Sequence, residues 1–198
     1  MSKKEIVFDL YLKKIASMAQ KTLTPPATRY LTDLLYSLIE TFAFKSIVVL
    51  EHGKKKRITP STIALLGNIL FDDNVVEYMK RSGTKALHAF ETHLSQSTAT
   101  RKKVRSTLQS KSGGIPLSVS RVQHVFVHYL QLRSKTSDFE ISKSSMVLLT
   151  SYLYYLLLEV LQTIKPAKIQ VEDIKTALKS DAELFRSFAC HTLFNPLS

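Results

Sequence analysis

Acidic residues are scarce in this chain, and one long stretch has none. Its 198 residues hold 16 Asp and Glu against 28 Lys and Arg, a formal charge of +12 with a pI near 9.8. Between Glu91 and Asp138 no carboxylate occurs, while Arg101, Lys102, Lys103, Arg105, Lys111, Arg121, Arg133 and Lys135 all fall there. Such a segment repels itself unless a polyanion lies against it, so nucleic acid or an anionic membrane is the expected partner. Cysteine is nearly absent. A lone Cys190 excludes an internal disulfide and points to a reducing compartment or to indifference to redox. Five Gly and six Pro leave little room for long disordered stretches.

Catalytic signatures are missing as well. There is no nucleophile motif, no pair of catalytic carboxylates and no Gly-rich phosphate loop, so neither an enzyme nor a cofactor is expected. His124 and His128 have the spacing of two metal ligands on a helix, but their neighbours supply no carboxylate or thiol and Cys190-His191 is remote in sequence. A structural role is the better reading, and no metal is expected. The opening Met1-Ser2-Lys3-Lys4-Glu5 passes directly into helical pattern, without the apolar stretch of a secretory signal.

What the chain does have is apolar residues, 44% of the total. The most apolar run, Met146 to Ile164, approaches the length of a membrane span. It is interrupted by Thr150, Ser151, Glu159, Gln162 and Thr163. A glutamate facing lipid is costly, so a buried helix is expected and no membrane partner.

One pattern occurs twice: short helix, long apolar helix, basic loop, short helix. Ile58 and Ile63 follow the loop Lys54-Lys55-Lys56-Arg57, and Ile169 and Ile174 follow Lys165-Pro166-Ala167-Lys168 at the same spacing. A repeat of this size means two units, each too open to hide its own apolar face. In the first unit a helix is expected over residues 6–20, with Ile6, Leu10, Leu12, Ile15 and Met18 as its apolar positions. Thr24-Pro25-Pro26 starts a long helix to about His52, closed by a left-handed Gly53. Thr59 and Pro60 start the next helix, with Ile63, Leu66, Ile69 and Leu70 inward, and Asp72-Asp73 starts another to about Leu94. Residues 95–114 form a basic linker, with a short helix expected near 101–108. The second unit has helices expected at 118–130, 142–164 and 171–178, and a last one starting at Asp181. In the first of these Val122, Val125, Phe126 and Tyr129 face inward. Tyr152, Tyr154 and Tyr155 read as core aromatics rather than a base-stacking platform.

Several local strings resemble histones. Ser82-Gly83-Thr84-Lys85-Ala86-Leu87 is similar to the C-terminal helix of histone 2B, and Lys56-Arg57-Ile58-Thr59 to that family's second loop. The run from Gly114 through Pro116 and Ser118 to Val122 resembles the entry to the first helix of histone 2A. Tyr152-Leu153 with Glu159 resembles its long helix, and Ser180-Asp181-Ala182-Glu183-Leu184 its last helix. Their order, 2B then 2A, resembles the histone doublets of giant DNA viruses, in a short-tailed form.

The resemblance implies an all-α chain of two tandem histone folds, paired head to tail as an intramolecular handshake dimer. Residues 1–94 are the 2B-like fold with its C-terminal helix, and 115–198 the 2A-like fold with a shortened docking segment. The two long helices cross as mutual core, and fusion gives each half a high effective concentration of the other. Lys54 to Arg57 are expected near Arg133 and Lys135. Lys165 and Lys168 are expected near Thr24 to Arg29. The two short first helices meet in the middle, with Arg121 close by.

By resemblance, Arg29, Lys54, Lys55, Lys56, Arg57, Lys111, Arg121, Arg133, Lys135, Lys165 and Lys168 are expected to bind the backbone of double-stranded DNA without sequence preference. Asp72, Asp73, Glu159, Asp181 and Glu183 stand for a weakened acidic patch. Leu156, Ala182 and Ser82 replace acids usual in the family, and Lys168 replaces an arginine whose planar fork lysine lacks. The implied partners are a histone 3–4 type doublet or histones, and a second copy of the chain, in a nucleosome-like particle that compacts DNA. The implied location is a virion, virus factory or nucleus. An alternative is a histone-fold subunit of a transcription or chromatin complex. A histone chaperone would carry acidic surface, which this chain lacks.

Overall fold

The computed structural model describes residues 8–96, 114–133 and 139–181. Its architecture is helical, with seven helices among the described residues and four strands of two residues each. The first half runs α1 (Asp9–Met18), β1 (Thr22–Leu23), α2 (Pro25–His52), β2 (Arg57–Ile58), α3 (Pro60–Leu70) and α4 (Asp73–Gln96). The second runs α5 (Val119–Arg133), β3 (Glu140–Ile141), α6 (Lys143–Thr163), β4 (Lys168–Ile169) and α7 (Val171–Ser180). The sequence repeat is therefore a repeat of elements, α1–α2–α3 against α5–α6–α7, with α4 added to the first. The short helix expected near 101–108 lies outside the described residues, as does all of the expected last helix but its first residue, Asp181, which follows α7.

Caps fix where the helices start. Thr24 accepts a hydrogen bond from the Ala27 amide at 3.4 Å, and Pro25 and Pro26 sit where no helical donor is needed. Thr59 and Thr62 form a reciprocal capping box on α3. Ser142 accepts from the Ser145 amide at 3.1 Å and starts α6. The end of α2 departs from expectation. Gly53 is still right-handed (φ −79°), and its amide still bonds Val49 O at 3.0 Å. The left-handed residue is Lys54 (φ 51°), held there by bonds from Lys55 N–H to Leu50 O and from Lys54 N–H to Glu51 O. Those two bonds offset the cost of a left-handed residue that has a Cβ. Gln20 (φ 57°) closes α1 in the same way, with Lys21 N–H on Ala16 O at 2.8 Å.

One continuous core runs through both halves, and the flanking helices do most of the joining. α5 lies along α2, whereas α3 and α4 lie along α6. The expectation that the two long helices cross as mutual core is met only in that they share this core, since each is flanked mainly by other helices of the opposite half, α2 by α5 and α6 by α4 and α3. Burial of α6 is nearly all-round. Met146, Val147, Leu149, Leu153, Leu156 and Val160 are fully enclosed, which accounts for a helix long and apolar enough to cross a membrane. Tyr152, also buried, is received by two glycines. A Cβ on Gly83 would lie 2.8 Å from its ring and 2.4 Å from Leu148, and one on Gly67 would lie 3.1 Å from the ring. Three apolar positions are corrected: Leu10, Met18 and Ile69 are 78%, 54% and 57% exposed. The inward face of α1 is formed instead by Leu12, Ile15 and Ala16, next to buried Phe8.

Two parallel strand pairs tie the halves together. β1 pairs with β4, matching Thr22 to Lys168 and Leu23 to Ile169. β2 pairs with β3, matching Arg57 to Glu140 and Ile58 to Ile141. Each pair joins the loop before one long helix to the loop after the other. Two-residue strands supply few ladder bonds of their own, so their position depends on packing: Leu23, Ile58 and Ile169 are enclosed, and Ile141 is half-buried.

Candidate nucleic-acid interface

The strand pairs gather the cationic loops into two edges. At the first edge, Thr22 N–H bonds Ala167 O at 2.8 Å and Thr24 N–H bonds Ile169 O at 3.1 Å. The Thr24 hydroxyl donates to the same Ile169 carbonyl at 3.0 Å. Lys21 reaches across, its ammonium donating to Lys165 O at 2.9 Å. Lys165 and Lys168 are exposed, so this edge collects three lysines contributed by both halves. Lys21 was missed in the sequence. Its only signal was its place just before the segment that meets the second basic loop. Arg29 is exposed on the second turn of α2.

At the second edge, Glu140 N–H bonds Lys56 O at 2.9 Å and Ser142 N–H bonds Ile58 O at 3.1 Å. Lys54, Lys55, Lys56 and Arg57 are all exposed. Arg57 is not alone, because its Nε lies 3.8 Å from the Glu140 carboxylate. Arg133, expected beside this loop, is engaged on α2. Its guanidinium bonds the Glu40 carboxylate at 3.4 Å and lies 5.7 Å from the centre of the Phe44 ring. Lys135 and Lys111 lie outside the described residues.

Between the edges, the Arg121 guanidinium lies 5.2 Å from the Tyr11 ring centre, which sets the first turn of α5 beside α1. The Arg121 amide bonds Ser118 Oγ at 3.4 Å. Arg57, Arg121 and Arg133 thus each engage a side chain of the opposite half, whereas Lys54, Lys55, Lys56, Lys165 and Lys168 are solvent-facing cations.

The acidic positions are dispersed over several elements. Asp72 and Asp73 stand at the start of α4, Glu159 is half-buried on α6, Asp181 follows α7, and Glu183 lies outside the described residues. Among the described residues no three His, Cys, Asp or Glu converge to hold a metal ion. The surface where α4 meets α6 carries aromatic and cationic groups. Tyr78 stacks on Tyr155 at 6.2 Å, with the Arg81 guanidinium 5.7 Å from the Tyr78 ring. Tyr152 is a core residue, and burial alone raises its phenol above the usual 10.0.

Two further half-buried phenols lie on or against α2. Burial raises Tyr30 above 10.0, with Lys175 pulling against it and Glu172 adding to it. Burial raises Tyr129 as well, and there Glu40 and Tyr36 push the same way.

No family model matches this chain, and no curated protein matches it.

Proposed function

We propose that the chain is a tandem histone fold, 2B-like then 2A-like, that packages duplex DNA through backbone contacts made without regard to sequence. The observation that carries this reading is the pair of strand-joined edges, each built from one half's basic loop and the other half's helix-entry loop. Exposed lysines along both edges present point charges to phosphate, and no groove-reading helix is needed for such contacts. A net charge of +12 supports the same polyanionic partner.

In this reading the chain joins a histone 3–4 type doublet, and a second copy of itself, in a nucleosome-like particle within a virion, virus factory or nucleus. The positions that stand for acids in the family's patch are dispersed or replaced, so docking of basic partners there is expected to be weak. Reconstitution with a histone 3–4 partner and DNA, followed by nuclease digestion, tests the proposal. A discrete protected fragment supports a particle, and a smear refutes it.

A second reading draws on the acids at the second edge. Glu140 makes that edge mixed in charge, as suits a histone-fold subunit that assembles with protein in a transcription or chromatin complex. Preference for one DNA site, or failure to bind duplex at all, favours this second reading.

A further inference from the structure

The two edges follow one hydrogen-bonding plan but differ at one position. At the first edge the leading register pair is Thr22 with Lys168, a hydroxyl opposite a cation. At the second it is Glu140 with Arg57, a carboxylate opposite a cation. Backbone bonds on either side, from Glu140 N–H to Lys56 O and from Ser142 N–H to Ile58 O, hold the carboxylate in that register. Its approach to Arg57 is therefore a consequence of strand pairing rather than of one chance rotamer.

We infer that Glu140 is an internal counter-anion of the second edge: it occupies Arg57 in the free protein, yields it to a DNA phosphate, and so sets the affinity and salt response of that edge. The inference rests on the DNA-packaging reading and deepens it. A carboxylate and a phosphate compete for the same guanidinium, and their mutual repulsion disfavours holding both. Both Arg57 and Glu140 are largely exposed, 64% and 76%. A pair so well solvated is weak, which makes it an exchangeable occupant rather than a lock. Once displaced, the carboxylate still stands among the cations of Lys54, Lys55 and Lys56 and subtracts from the charge that phosphate meets. The first edge has no counterpart, because Thr22 takes the equivalent place. The second edge holds more formal cations, yet Glu140 makes it the more restrained of the two.

The test uses the full chain and a fluorescent duplex of mixed sequence, with anisotropy read across a range of salt. Glu140→Gln is expected to tighten binding about three- to fivefold at moderate salt, the scale of an exposed ion pair. It should also steepen the slope of log affinity against log salt by about one. In an Arg57→Gln background the gain should shrink to the smaller part that comes from the neighbouring lysines. No gain, or an equal gain without Arg57, overturns the inference. Thr22→Glu gives the converse: it places a carboxylate opposite Lys168, and should weaken binding by a similar factor that vanishes with Lys168→Gln. A Thr22→Glu chain that binds like the parent also counts against the inference. If the parent binds duplex and Glu140→Gln matches it, only the role of Glu140 falls. If the parent binds no duplex at any salt, the packaging reading falls and takes this inference with it.

Discussion

The two edges of this molecule share a backbone and differ in what secures it. The first is pinned by buried Leu23 and Ile169, by the Thr24 hydroxyl on Ile169 O, and by the Lys21 ammonium on Lys165 O. The second has Ile58 buried but Ile141 only half-buried, and its cross-half side-chain contact is ionic, Arg57 with Glu140. One edge is closed by packing and neutral-acceptor bonds, the other partly by charge. Identical backbone topology thus leaves one edge free to present its exposed lysines and commits the arginine of the other, Arg57, to an internal acid.

The largest expected difference is in packing. Ile169→Ala removes a fully enclosed side chain at the first edge and should cost about 2–5 kcal/mol, whereas half-buried Ile141→Ala should cost roughly half as much. Urea unfolding of the two variants measures this, and equal losses would erase the distinction. Next come the caps. Thr24→Ala loses both the α2 cap and the bond to Ile169 O, and should cost about 1–2 kcal/mol. Ser142→Ala, which caps α6 at the second edge, should cost about 1 kcal/mol in the same assay.

Smaller effects separate the edges electrostatically. Replacing both Lys165 and Lys168 by Gln should make the salt dependence of duplex binding shallower by about two. Arg133→Gln should leave that slope nearly unchanged and lower stability by about 0.2–1 kcal/mol, because its partner is Glu40. A slope change as large as one for Arg133 would return it to the DNA surface. The smallest effect is in titration. Burial raises both Tyr30 and Tyr129; Lys175 pulls against it and Glu172 adds to it at Tyr30, while Glu40 and Tyr36 add to it at Tyr129. Ring resonances of both should therefore shift at higher pH than those of a free tyrosine. Folding favours the protonated phenol in each case. The associated stability is present below pH ~10 and lost as pH rises through the raised values.

The long helices and their starts were legible in the sequence, because apolar residues at helical spacing and Thr-Pro or Ser caps are local signals. The cross-half register was not. A two-residue strand has no period to read, so nothing in Arg57-Ile58 or Glu140-Ile141 announces that they pair. The capture of Arg133 was hidden for a related reason, since Glu40 lies 93 positions away. Gly53 misled because glycine is the usual left-handed residue, and only the observed backbone shows that the left-handed turn falls on Lys54. Ile69 misled because its spacing on α3 fits an inward face that tertiary packing leaves open.

If two cationic edges hold duplex DNA by its phosphates, base sequence is irrelevant to binding and salt is decisive. The decisive measurement is binding of the full chain to two duplexes of unrelated sequence across a range of salt. Equal affinities that fall together, steeply, as salt rises are expected. A marked preference for one duplex, or affinity indifferent to salt, would contradict phosphate binding by the two edges.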